Sequence, residues 1–98
     1  MYRIVYEKQA AKDIKNLKSA GLDKKAKELI EIIRSNPFQT PPTYEGLVGN
    51  LNGYYSRRIN IQHRLVYQVY AEPINIDEAE YEGTVKIICM WTHYDGLR

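Results

Sequence analysis

With 98 residues the chain can build one domain around a single core, and it has no room for a second. A hydrophobic fraction of 44% and a charged fraction of 27% are ordinary for a globular protein, and every apolar run is too short to span a bilayer. The N-terminus lacks the apolar segment and small-residue cleavage site of a signal peptide, so a cytoplasmic location away from membranes is expected.

Net charge is +2 but unevenly spread. Residues 71–84 contain Glu72, Asp77, Glu78, Glu80 and Glu82 with no Lys or Arg, leaving 14 basic residues against 7 acidic ones elsewhere. Such a remainder suits a polyanionic partner, although a solvated surface of both signs would read the same way. The lone Cys89 excludes an internal disulfide and a cysteine-built zinc site. Its apolar neighbours Ile87, Ile88, Met90 and Trp91 point to a buried thiol.

In chain order, Tyr2–Tyr6 alternates bulky and polar residues and predicts an opening strand. Ala10, Ile14 and Leu17 recur at helical spacing between about Lys8 and Ala20, and Gly21 is a natural stop. Asp23 is a suitable N-cap for a second helix with the stripe Ala26, Leu29, Ile30 and Ile33. Asn36-Pro37 ends it, because proline disfavours helix in the residue before it. Residues 37–53, punctuated by Pro37, Pro41, Pro42, Gly46, Gly49 and Gly53, read as irregular. Strands are expected at about 54–60, 63–70 and 84–92, and Ile74 and Ile76 suggest a hairpin prolonged through the acidic stretch. The order β-α-α-β-β-β implies an α+β fold: a helical hairpin packed on a twisted, mainly antiparallel sheet.

The chemistry is concentrated in Leu51-Asn52-Gly53-Tyr54-Tyr55-Ser56-Arg57-Arg58-Ile59 and His63-Arg64-Leu65-Val66-Tyr67. Arg57, Arg58, His63 and Arg64 fall on two adjacent strands, from which guanidinium forks can converge on one phosphate. Cutting RNA through its own 2′-hydroxyl needs a base, an acid, cations for the charge gained at phosphorus, and a grip on the bases. Arg64 and Arg58 are candidates for the charge, His93 for the acid, Glu45 for the base, and Tyr94 for stacking or hydrogen bonding. His63 could orient a neighbour or touch phosphate. Each has a plainer reading: a surface glutamate, a paired arginine, an incidental terminal histidine, a packing tyrosine. Two histidines thirty residues apart and one cysteine do not make a zinc site, so no metal and no cofactor is expected.

The two arginine-bearing strings with the closing His93-Tyr94 strongly resemble the Txe/YoeB toxins of bacterial toxin–antitoxin pairs, within the wider RelE-like group. The likeness extends over almost the whole chain, from the opening strand through the helical hairpin ended by Asn36-Pro37-Phe38. It implies a microbial ribonuclease-like fold and a ribosome-dependent mRNA endonuclease restrained by a YefM/Axe-type antitoxin. Carried over by position, Glu45 becomes the general base, His93 the general acid and Arg64 the stabiliser of the transition state. Arg58 supports it, Tyr94 holds substrate, and His63 occupies a position near the active site. A homodimer is compatible with the resemblance. A non-catalytic module binding RNA or antitoxin is the alternative, and Glu45 with His93 distinguishes the two, since binding alone requires neither. Residues 71–84 are longer and more acidic than the short turn expected in this family, and the chain runs past Tyr94 through Asp95-Gly96-Leu97-Arg98. The acidic stretch is expected to be a solvated hairpin, with contact to antitoxin or exclusion of RNA as alternatives.

Overall fold

Residues 1–91 are described by a computed structural model. The chain runs β1 (Tyr2–Tyr6), α1 (Lys8–Ser19), α2 (Asp23–Ser35), β2 (Tyr44–Gly46), a 3-10 turn (Gly49–Leu51), β3 (Tyr54–Arg58), β4 (Arg64–Tyr70), β5 (Ile74–Ile76), β6 (Ala79–Tyr81) and β7 (Gly83–Cys89). Five strands form one sheet in the order β1-β7-β4-β3-β2, antiparallel except for the β1–β7 pair. The α+β architecture expected from the sequence is therefore present. Two differences stand out: β2 lies inside the proline-rich segment read as irregular, and β7 stops before Trp91.

The helical hairpin turns where the sequence places its break. The Leu22 amide donates to the Leu17 carbonyl at 2.8 Å and the Gly21 amide to Lys18 at 3.1 Å, with Gly21 at φ 72°. This closure satisfies the last carbonyls of α1 and needs a residue that tolerates the left-handed region. Asp23 is not the N-cap of α2. Leu22 occupies that place without a side-chain bond, and Asp23 sits in the first turn, where its charge meets the positive end of the helix dipole. On α1 the buried face is Ala10, Asp13 and Leu17, while Ile14 is 36% exposed. The expected stripe is thus rotated by one position, with an acid inside it.

Between the helices and the sheet, Leu17, Leu29, Ile33, Leu65, Tyr67 and Ile87 form the centre of the main core. Each fully buried aliphatic side chain there contributes about 1.5–3 kcal/mol relative to exposure. A smaller cluster covers part of the opposite face, where Leu47 and Leu51 fold down onto Val66, Ile88 and Cys89. A register shift in the β4–β7 pairing between Val66 and Tyr67 lets both Ile88 and Cys89 reach it. The acidic stretch forms its own two-stranded sheet, β5–β6, closed by Asp77 and Glu78 at φ 49° and 68°. Two consecutive left-handed residues are the geometry of a tight hairpin turn. The N-terminal ammonium binds Glu82 at 2.7 Å, tying the base of this hairpin to β1.

Burial pushes the Cys89 thiol up to about 11, with the Asp13 charge adding to the shift. The unfolded thiol loses its proton near 9.0, so stability from the neutral buried form is complete below pH 9 and falls as pH rises toward 11. Iodoacetamide at pH 8 should therefore label Cys89 slowly in the native protein and readily in denaturant. Equal rates would contradict the burial.

Candidate active site

Neighbouring residues on a strand point to opposite faces, and this decides which arginines can meet a ligand. On β3, Arg57 turns toward the helix side and is 1% exposed, while Arg58 is exposed on the other side. The Arg57 guanidinium is occupied by backbone carbonyls of Pro37, Gln39 and Pro42. The expectation that it would join Arg58, His63 and Arg64 around one phosphate is therefore incorrect. Arg58 instead stands directly across from Arg64, the first residue of β4.

Pro42, Thr43, Tyr44, Glu45, Ser56, Arg58 and Arg64 line a cleft of about 310 Å³ on the open face of the sheet. Glu45 enters because β2 pairs with β3 in the register Glu45↔Ser56, two residues along from Arg58. Like charges facing each other across two strands repel. Among the described residues neither Arg58 nor Arg64 has a carboxylate ion-pair partner. The Arg64 Nη1 is moreover buried with no hydrogen-bond partner among them. Two adjacent guanidinium groups with no ion-paired acid among the described residues can receive an anion, and their planar donor forks match phosphate oxygens. Glu45, exposed on the neighbouring strand β2, is the one carboxylate among the described residues that line the cleft.

His63 does not line this cleft. The residue is 4% exposed, and its ring lies flat on Trp91, with centroids 4.0 Å apart and planes 15° apart. Its amide and that of Gln62 donate to Asn60 Oδ1 at 2.7 and 2.9 Å, which shapes the β3–β4 connection. Nδ1 is buried and has no partner among the described residues. Beside the stack, Asp13 Oδ2 accepts the Met90 amide at 2.9 Å while Oδ1 accepts Gln9 Nε2 at 2.9 Å. The carboxylate thus satisfies a main-chain donor just past the end of β7, a group that would be costly to bury alone. Asp13 and His63 together fix where the chain leaves the sheet. Sequence reading missed Asp13, although an acid three residues after Ala10 and four before Leu17 falls on the buried helical face. His93 and Tyr94 lie outside the described residues.

Trp91 is the only tryptophan, so its fluorescence reports the stack directly. His63→Ala should shift the native emission to longer wavelength and cost about 1–2 kcal/mol in denaturant unfolding. An unchanged native spectrum would show that the imidazole does not cover the indole.

Comparisons with known proteins place the chain in a family. Residues 6–94 match the family described as the YoeB-like toxin of bacterial type II toxin-antitoxin system. Toxin YoeB of Escherichia coli K12 is 43% identical over 58 residues, which is 59% of this chain and 69% of that protein. A YoeB/ParE toxin from Agrobacterium tumefaciens superposes with a TM-score of 0.77 at 26% identity, covering 94% of this chain and 99% of that one. The YoeB–YefM toxin–antitoxin complex of Staphylococcus aureus, a heterotetramer, contains a chain that superposes with a TM-score of 0.69 at 34% identity, covering 96% of this chain and 99% of that one. The chain belongs to the YoeB-like toxins of bacterial type II toxin–antitoxin systems.

Proposed function

We propose that this toxin is a ribosome-dependent mRNA endonuclease that arrests translation by metal-free general acid–base cleavage. The observation that carries the reading is the cleft in which Arg58 and Arg64, without a carboxylate ion-pair partner among the described residues, share one cavity with Glu45. A phosphodiester drawn between those arginines has Glu45 in the same cleft as its base. Glu45 removes the proton from the 2′-hydroxyl, and the 2′-oxygen attacks phosphorus. Arg64, supported by Arg58, stabilises the additional negative charge of the pentavalent phosphorus. The bond from phosphorus to the 5′-oxygen then breaks. His93 gives its proton to the departing oxygen, and the products are a 2′,3′-cyclic phosphate and a free 5′-hydroxyl.

His93 and Tyr94 follow Trp91 by two and three residues in the sequence. Tyr94 holds the substrate in this reading, and His63 acts from beneath, through Trp91. The ribosome supplies what a small cleft lacks, a message held in extended form. A YefM-type antitoxin is the natural restraint, given the S. aureus relative solved with YefM. A homodimer is a further proposal, since the same relative has also been solved as a dimer. No helix of the described residues is long and apolar enough to cross a membrane.

Arg64→Ala and His93→Ala should each lower cleavage of a translated message by about 100-fold or more while the far-UV spectrum stays native. Glu45→Gln should slow it less if ribosomal groups help to activate the hydroxyl. Primer extension with purified ribosomes measures all three. Near wild-type cleavage by the Arg64 or His93 variant would remove that residue from the mechanism, and efficient cutting of naked RNA would remove the ribosome requirement.

A further inference from the structure

Arg57 is a charged side chain that the proposed chemistry does not use, and among the described residues it has no carboxylate ion-pair partner. Its Nη1 donates to the Pro42 carbonyl at 2.7 Å, and Nη2 donates to Pro37 and Gln39 at 3.0 and 2.9 Å. Nε donates to the Tyr67 hydroxyl at 3.2 Å, and that hydroxyl donates onward to the Pro37 carbonyl at 2.7 Å. Burial raises the Tyr67 phenol above its usual range, against the opposing pull of Arg57, so it remains a neutral donor. The guanidinium also lies 5.2 Å from the centroid of the Tyr44 ring. Four of the five guanidinium N–H groups therefore have acceptors, three of them main-chain carbonyls of one short segment.

That segment leads into the wall of the cleft. Pro42 and Tyr44, both held by Arg57, flank Thr43 and are followed at once by Glu45, and all four residues line the cavity. A segment rich in proline has few amides with which to pin itself to a sheet, and β2 is only three residues long. Its carbonyls need donors, and a planar fork with several N–H groups in fixed directions supplies them from one side chain. We infer that Arg57 is a positioning residue for the active cleft: from the buried face of the sheet it holds the strand that presents Glu45 to the open face.

This inference rests on the proposed nuclease reading for its kinetic consequence but not for its structural one. The test is Arg57→Lys, which retains the charge and loses the fork, with Tyr67→Phe as a milder variant. In Arg57→Lys, the amides of Gln39 and of Tyr44–Gly46 should exchange with deuterium about tenfold faster or more, while those of β4 and β7 keep native protection. Single-turnover cleavage on ribosomes should fall by at least about tenfold with ribosome affinity changed less than about threefold, as expected when geometry rather than binding is lost. Tyr67→Phe should accelerate exchange in the same segment by a smaller factor. Should Arg57→Lys not fold, that Tyr67→Phe result alone decides. Native exchange at Gln39 and Tyr44–Gly46 in the folded variants would overturn the inference, as would faster exchange with wild-type cleavage. If the wild-type protein cut no message, the nuclease reading would fail, and the exchange result would still decide whether Arg57 holds the segment.

Discussion

Two consecutive arginines on one strand are sent to opposite sides of a sheet, and the working parts of this toxin depend on that separation. The pleat of β3 gives Arg57 to the interior and Arg58 to the open face. A buried guanidinium is costly unless its donors are met. Here they are met by carbonyls of the proline-rich segment and by the Tyr67 hydroxyl rather than by a carboxylate. Interior arginine therefore bonds the segment that leads into the cavity, while exterior arginine, across from Arg64, lines the cavity itself. A shift of β3 by one residue would exchange these roles and destroy both.

The second fixed point lies at the end of β7. Asp13 reaches across from α1 to the Met90 amide, and His63 stacks on Trp91, so two buried polar side chains hold the last described turn of chain. Their common feature is distance in sequence from what they hold. The same layout separates stability from chemistry: Cys89, Val66 and Ile88 close part of the open face with apolar packing, and the remainder stays available to a ligand. The acidic β5–β6 hairpin is a separate small sheet whose strands do not pair with the main one.

Much of the fold was legible because its signals are local. Gly21 and Asn36-Pro37 mark the helix ends, and the apolar runs of β4 and β7 appear within a few residues of where they were expected. Burial of Cys89 followed from its neighbours alone. Illegible features depended on non-local partners. β2 exists through its pairing with β3, which no propensity within Thr43-Tyr44-Glu45-Gly46 announces. Asp13 is buried because Met90 needs an acceptor, and His63 because Trp91 comes to lie over it. Arg57 could have been assigned correctly, since Tyr55 and Arg57 alternate with Ser56 and Arg58. The phase becomes certain only once Tyr67 and Leu65 are seen to face the core opposite them. For the candidate site, Arg58 and Arg64 are legible in the motif and Glu45 as the lone acid preceding it, and the three line one cleft.

The central claim is that the scissile phosphate lies on the open face, between the exterior arginines and Glu45. The most direct measurement is a structure of the toxin on a translating ribosome whose message carries a 2′-O-methyl group at the cleavage position, which blocks attack. The account predicts phosphate oxygens within hydrogen-bond reach of Arg64 and Arg58, the Glu45 carboxylate beside the methylated 2′-oxygen, and Arg57 still bound to its carbonyls. A message lying on the helical side, or a scissile phosphate away from both exterior arginines, would contradict it.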